Sequence, residues 1–129
     1  MDISAAKYVS LTSLKRDGTP VDVAVWIAPL PDGRAGFTTD AGSFKVKRIR
    51  NNASVTLRAC DMRGKVAEGA EVVAASAAIA EDGPDHDLVH AAISEKYGIQ
   101  FKLIDLGGKL KRMVGKDAAP VVSVVLTFP

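Results

Sequence analysis

The 129-residue sequence lacks the features that mark several specialised protein classes. No stretch approaches the roughly 18 to 20 uninterrupted apolar residues that a membrane-spanning helix needs. The single cysteine, Cys60, cannot form an internal disulfide, and alone it cannot build a zinc or iron–sulfur site. The first residues lack the basic start and apolar block of a secretory signal peptide. We therefore expect a cytoplasmic protein that has no membrane partner and is stabilised by packing.

A large charge of one sign is also missing. The chain carries 17 basic and 15 acidic side chains, a formal net charge of +2, which is too small to attract nucleic acid by itself. With 47% hydrophobic and 25% charged residues, the composition is that of an ordinary soluble domain. A chain of this size has enough surface to bury for one core. We therefore expect one domain over residues 1–129 and no nucleic-acid partner.

The chain does contain a series of short strand patterns separated by turn residues. Residues 8–14 alternate as a half-buried strand does, and Asp17-Gly18 then gives a hairpin turn. Residues 21–28 are β-branched and apolar, and residues 34–39 follow the proline-rich turn after Ala28. These three segments are predicted to form an antiparallel meander.

The second half of the chain adds strands and two helices. Val46, Ile49 and Ala53 have helical spacing, with Ser43 as the N-cap, and residues 85–97 form a longer helix that ends at Gly98. In that helix Leu88, Ala91, Ala92 and Ile93 are predicted to face inward. Further strands are expected at residues 55–60, 66–80 and 121–128, and residues 99–113 fit a broken helix or an ordered loop. The pattern predicts a mainly β fold, a closed or partly open antiparallel barrel with flanking helices.

The junction between the third strand and the short helix is the strongest candidate for a binding site. A strand that ends in hydroxyls leads through a small-residue loop into a helix with several cations. Free backbone N–H groups and the positive end of the helix dipole favour an anion there, and a phosphate ester fits best. The alternative is a solvated basic helix face. The residues concerned are Thr38, Thr39, Ser43, Lys45, Lys47 and Arg48.

The only tryptophan, Trp26, follows Val25 on a strand expected to neighbour the threonine-bearing strand. Its indole could stack on a bound planar ring, or it could simply fill the core. No Walker loop, Rossmann glycine motif or nucleophile elbow occurs. The sequence therefore names no catalytic residue.

His86 and His90 are spaced for one helix face, as in zinc peptidases, but we expect no metal there. The intervening acid is Asp87, which is one methylene too short for the usual base, and no further histidine supplies a third ligand. Both histidines are instead predicted to be exposed, with Asp85 or Asp87 serving the helix N-terminus.

The order of the motifs resembles the pyridoxamine 5'-phosphate oxidase-like split β-barrel family, especially its actinobacterial branch of oxidoreductases that use the deazaflavin coenzyme F420. Single motifs are weak, but their order and spacing along nearly the whole chain are specific. The segments that carry the resemblance are Lys7-Tyr8-Val9-Ser10-Leu11-Thr12, Asp17-Gly18-Thr19-Pro20-Val21, Ala24-Val25-Trp26-Ile27-Ala28-Pro29, Thr38-Thr39-Asp40, Lys45-Val46-Lys47-Arg48-Ile49-Arg50-Asn51-Asn52, Val55-Thr56-Leu57, Cys60-Asp61 and Lys96-Tyr97-Gly98.

The resemblance implies a homodimer that holds F420, or alternatively FMN, in a groove between the subunits. Lys45 would be the main phosphate contact, and Lys47 and Arg48 would assist it or reach the anionic tail of the coenzyme. Thr38, Thr39 and Ser43 would donate hydrogen bonds, while Val25 and Trp26 would line the ring. The implied activity is hydride transfer between the coenzyme and a conjugated small molecule. A non-catalytic module that binds F420 or another phosphorylated ligand is the rival interpretation.

Overall fold

The computed structural model describes residues 2–98 and 121–129, which form an antiparallel sheet with two α-helices. A short 3-10 helix at Ile3–Ala5 precedes the first strand. The strands are β1 (Tyr8–Leu14), β2 (Pro20–Val25), β3 (Ala28–Pro29), β4 (Ala35–Asp40), β5 (Ser54–Cys60), β6 (Val73–Ala80) and β7 (Val121–Thr127), and the helices are α1 (Phe44–Asn51) and α2 (Gly83–Tyr97).

The sheet curves into a barrel. Its seven described strands follow the order β2-β1-β5-β6-β7-β4-β3. Strands β2 and β3 lie at opposite ends of that order, yet only Trp26 and Ile27 separate them in the chain. Two edges joined by so short a segment must lie close together, so the sheet bends round on itself. The prediction of a mainly β barrel with flanking helices is confirmed.

The barrel interior is filled by one alternating set of side chains. Leu11 pairs with Val23 on one neighbouring strand and with Leu57 on the other, and Phe37 pairs with Val124. Directly opposed residues point to the same face of a sheet, so these side chains all face inward. Leu11, Leu57 and Val124 are fully buried. Burial of such side chains is the main source of stability in a chain without disulfides.

Helix α2 covers the outer face of β4 and β7. The approach is close because β4 carries Gly36, where a Cβ atom would lie 2.6 Å from Cγ2 of Val89. The inward stripe of α2 is therefore Val89, Ile93 and Tyr97, spaced four residues apart. The predicted burial of Ile93 is correct, whereas that of Leu88 is wrong, since Leu88 is 37% exposed. Ala91 is exposed as well, and Ala92 is only half-buried.

The predicted three-stranded meander is wrong in the pairing of its second and third strands. Strands β1 and β2 form the expected hairpin, but β4 pairs with β7 and with the two-residue β3 instead of with β2. The apolar run over residues 21–28 is broken at Trp26 and Ile27, where the chain crosses from one sheet edge to the other. Pattern alone could not show this crossing because both parts of the run are apolar.

Other predicted boundaries also change. Of residues 66–80 only Val73–Ala80 form a strand, because the preceding segment turns at Gly64 and Gly69, both with positive φ. Ala53 lies beyond the end of α1 and is exposed. The helix end at Gly98 is confirmed, with its N–H donating to Ser94 O at 2.9 Å. The prediction for residues 99–113 falls outside the described residues.

The last turn of α2 fastens the corner at Trp26 and Ile27. The Tyr97 hydroxyl accepts a hydrogen bond from Ile27 N at 3.1 Å and donates to Lys7 O at 2.6 Å. Lys96 Nζ donates to three carbonyl oxygens, those of Ser4 (2.8 Å), Ala6 (2.5 Å) and Ile27 (2.6 Å). Burial lowers the pKa of Lys96, and the nearby Asp2 opposes that shift. These bonds satisfy backbone groups that the strand break leaves without ladder partners.

Replacing Tyr97 by Phe should destabilise the fold by about 1 to 3 kcal/mol, because the buried Ile27 N–H loses its acceptor while the aromatic ring stays in place. Urea unfolding followed by far-ultraviolet circular dichroism measures the change. Tyr8→Phe is the matched control, since the half-buried Tyr8 hydroxyl makes no hydrogen bond within the described residues. An equal loss in both variants would contradict this role of Tyr97.

Candidate functional site

The candidate anion site lies where β4 ends and α1 begins. Lys45, in the first turn of α1, donates from Nζ to Thr39 Oγ1 at 2.9 Å. Burial lowers the pKa of the half-buried Lys45, an effect that the carboxylate of Asp40 opposes and the guanidinium of Arg48 reinforces. The strand end thus holds a cation that has lost part of its hydration. An anion placed there would compensate for that loss.

Ser43, two residues before Lys45 in the chain, has an unsatisfied hydroxyl. It is the N-cap residue of α1 and has the extended backbone of a cap (φ −69°, ψ 153°), but its side chain makes no capping hydrogen bond. Its Oγ is buried and has no hydrogen-bond partner among the described residues. A buried hydroxyl without a partner costs about 1 to 3 kcal/mol. A ligand oxygen next to Lys45 would provide the missing acceptor.

The two threonines of β4 do not point to the same place, because successive strand side chains lie on opposite faces. Thr39 shares the face of Phe37 and contacts Lys45. Thr38 shares the face of Gly36, which packs against α2, and it lies directly opposite Ser123 of β7. The structure therefore brings Thr39 and Lys45 together, leaves Ser43 at the N-cap of α1 two residues before Lys45, and places Thr38 on the other side of the sheet.

The remaining cations of α1 lie around the helix from Lys45. Arg48 donates from Nε to Ser13 Oγ at 2.7 Å, and Ser13 is fully buried at the end of β1. The bond ties α1 to the mouth of the barrel. Lys47 is exposed and holds its Nζ 5.3 Å from the centre of the Phe44 ring. The role of Ser13 had no sequence signal, because a serine in an alternating strand resembles any other polar position.

Val25 and Trp26 lie at the corner between the two sheet edges. Val25 ends β2 and is buried opposite Val9. Trp26 is half-buried and stacks on Tyr97, with ring centroids 4.1 Å apart and planes 5° from parallel. One face of the indole is therefore covered from within the chain. Since β3 enters with Ala28 opposite Gly36, Trp26 lies towards the Thr38 end of β4.

The histidines of α2 differ from the prediction, which had both exposed. His86 and His90 are half-buried, with their rings 6.4 Å apart. His86 Nδ1 lies 2.7 Å from the Oγ of the fully buried Ser123. The difference arises because the first turn of α2 lies over β7, which the sequence pattern could not show. Asp85 is in the first turn of α2, as expected.

Two kinds of feature are absent from the described part of the chain. Within residues 2–98 and 121–129, no group of three or more His, Cys, Asp or Glu side chains is arranged to hold a metal ion. No helix in the same ranges is both long and apolar enough to cross a membrane.

Comparison with known proteins gives matches of structure only. No protein-family model matches the sequence, and no curated protein matches it. A conserved hypothetical protein of Mycobacterium tuberculosis is 22% identical with a TM-score of 0.65 over 98% of this chain and 75% of its own. The heme storage protein HutZ of Vibrio cholerae is 13% identical with a TM-score of 0.70, covering 99% of this chain and 85% of its own.

A third similar structure is a pyridoxamine 5'-phosphate oxidase-related, FMN-binding protein of Nostoc punctiforme. It is 17% identical, with a TM-score of 0.60 over 95% of this chain and 70% of its own. At these identities the likeness shows the architecture and not the activity. The chain has the split-barrel fold of the pyridoxamine 5'-phosphate oxidase-like, FMN-binding proteins.

Proposed function

We propose that this protein binds a flavin-type coenzyme by its phosphate at the junction of β4 and α1 and uses it for hydride transfer. The observation that carries the proposal is that the start of α1 holds both a buried, unpartnered hydroxyl at Ser43 and the partly desolvated ammonium group of Lys45. Both groups lack what a phosphate oxygen supplies, namely an acceptor and a negative charge. The N–H groups at the start of α1 add to the attraction.

Each residue of the site has a distinct part in this proposal. Lys45 is the charged contact of the phosphate, and Thr39 holds its Nζ in position through their 2.9 Å hydrogen bond. The Ser43 hydroxyl donates to a second phosphate oxygen. Lys47 and Arg48 assist Lys45 in binding the phosphate, or they bind a longer anionic tail of the coenzyme. Thr38 lies on the α2 face, so its contribution would have to come from its backbone.

The ring of the coenzyme is proposed to lie against Val25 and Trp26, towards the Thr38 end of β4. Tyr97 covers one face of the indole and fixes its plane, which makes the corner a rigid wall. When bound, the ring supplies the hydride chemistry. This chain contributes binding, orientation and exclusion of water, which explains why no catalytic acid or base stands out.

Two coenzymes remain in the proposal, each supported by a different observation. The order of sequence motifs favours the deazaflavin F420. The FMN-binding protein of Nostoc punctiforme, which shares the fold, favours FMN. In either case the partner of the reaction is a conjugated small molecule such as an enone, an imine or a tetrapyrrole bridge. A second function, storage or sequestration of a ligand without turnover, is favoured by the likeness to the heme storage protein HutZ.

Replacing Lys45 by Ala should weaken coenzyme binding by about 1 to 3 kcal/mol, roughly 5- to 150-fold in Kd, because one charge-assisted hydrogen bond is lost. Fluorescence titration of the purified protein with FMN and, separately, with F420 measures this change and decides the coenzyme.

Ser43→Ala should weaken binding without destabilising the free protein, since the Ser43 hydroxyl has no partner among the described residues.

Lys65→Ala is the control for Lys45→Ala, because Lys65 is an exposed lysine in the connection between β5 and β6. It removes the same charge without touching the junction. Equal affinity of the wild type and Lys45→Ala for the coenzyme would reject the phosphate site. So would an equal loss in both variants.

Hydride transfer should appear as oxidation of the reduced coenzyme by at least one member of a panel of enones, imines and tetrapyrroles, followed by absorbance. Tight binding of F420 or FMN with no acceptor reduced would reject the reductase and favour the storage function. The Lys45→Ala protein at saturating coenzyme separates a binding defect from a chemical one, because its kcat should then recover.

We also propose that the protein is a homodimer, with the coenzyme between its subunits. Sedimentation equilibrium should give twice the chain mass of 13.6 kDa. If the site spans two subunits, coenzyme should shift a dissociating dimer towards the associated state. A monomer that binds coenzyme with full affinity would contradict the shared site.

A further inference from the structure

A basic groove lies beside the candidate phosphate site, between α1 and the turn that joins β1 to β2. It encloses about 540 Å³, a size typical of small-ligand sites. Neither Ser43 nor Lys45 lines it, so it is a separate cavity. The residues that line this basic groove are Lys15, Arg16, Phe44, Lys47, Arg48, Arg50 and Asn51.

Five of the seven lining residues are cations and none is acidic. Of these five cations only Arg50 forms an ion pair within residues 2–98 and 121–129, with Glu81 at 2.8 Å, and both of these side chains are largely exposed. The interaction in such an exposed ion pair is weak, so Glu81 does little to neutralise Arg50. The other four cations form no ion pair within those ranges: Arg48 donates through Nε to the neutral Ser13 hydroxyl, and Lys15 interacts with the carboxylate of Asp17 only at longer range. The groove is therefore a concentrated positive surface in a nearly neutral chain.

The position of these cations on α1 is unfavourable for the helix itself. Lys47, which lines the groove, and Lys45, which does not, are near the N-terminus of α1, whose dipole repels cations, and the first turn has no acidic residue to offset them. Only the last-turn residues Arg48 and Arg50 interact favourably with the dipole. Local helix stability does not account for this arrangement, whereas binding of a ligand with more than one negative charge does.

The groove also presents an aromatic ring and an amide. Phe44 is 73% exposed, the most exposed large hydrophobic side chain of the described residues. Exposure of an aromatic ring to water is unfavourable in free energy. The exposed ring also offers a stacking surface for a planar group. Asn51 lies on the same groove with both a donor and an acceptor, which suits the polar edge of a nucleobase. The ring and the cations together match a molecule with a flat head and linked phosphates.

We propose that the basic groove binds a nucleoside diphosphate moiety. Its diphosphate lies among Lys15, Arg16 and Lys47, and its base stacks on Phe44. A diphosphate is preferred over a monophosphate because cations from two elements flank the groove. The binding does not depend on a redox coenzyme at Lys45, although a coenzyme with a long anionic tail would compete for Lys47 and Arg48.

Isothermal titration calorimetry of the full chain with ADP, AMP and inorganic pyrophosphate, without coenzyme, measures the dissociation constants that test the proposal. ADP should bind at least tenfold more tightly than AMP. The double variant Lys15→Gln/Arg16→Gln should weaken ADP binding at least tenfold and make it less sensitive to salt, because fewer ionic contacts remain. Phe44→Ala should weaken ADP and leave pyrophosphate unchanged.

The matched control is Arg63→Gln/Lys65→Gln, which removes the same two charges from exposed positions outside the groove. It should change ADP affinity less than twofold. Equal losses in the two double variants, or ADP binding no tighter than AMP, would overturn the proposal. Tighter binding of single-stranded DNA than of ADP would also overturn it, in favour of nucleic acid. A protein that binds neither FMN nor F420 would still give these results, so failure of the proposed coenzyme function remains distinguishable.

Discussion

The fold depends on the hydrogen bonds that hold the Trp26–Ile27 corner. At this corner the chain passes directly from one edge of the sheet to the other, so ladder hydrogen bonds are interrupted where the barrel closes. Tyr97 and Lys96 replace them from the end of α2, and the same tyrosine sets the plane of Trp26. Tyr97 thus contributes both to closure of the barrel and to one wall of the proposed ring site.

The junction of β4 and α1 shows how the scaffold leaves polar groups that a ligand could satisfy. Lys45 and Ser43 are left partly dehydrated and unsatisfied because α1 is packed onto the barrel by Val46 and Ile49. The cations on the outer side of α1 remain in water beside Lys15 and Arg16. One helix therefore carries the two proposed anion sites with different surroundings, an inner one suited to a single phosphate and an outer one suited to several charges.

Much of the fold was predictable because period and turn chemistry are local. Strands β1, β5 and β7, helix α1 and the end of α2 follow from alternation, helical spacing and Gly98. The pairing of the second and third strands of the meander was not predictable, since the choice of β7 over β2 as the neighbour of β4 is decided by long-range closure. In the candidate site, the proximity of Lys45 and Thr39 followed from their positions in the chain. The opposite direction of the Thr38 side chain became clear only from the three-dimensional structure. The same holds for Ser13 as the partner of Arg48 and for Ser123 as the partner of His86.

The two strands at the ends of the sheet order, β2 and β3, meet at a seam beside the Trp26–Ile27 corner. Their residues affect whether one copy of this chain could pair with another through its backbone. Strand β2 begins with Pro20, and the two-residue β3 ends with Pro29. Neither proline has an N–H to offer to an incoming strand, and β3 is too short to serve as a template. Edge-to-edge pairing, a common route to aggregation, is therefore blunted on both sides of the seam. Among the described strands, the backbone edges β2 and β3 are therefore poor places for one copy of the chain to pair with another.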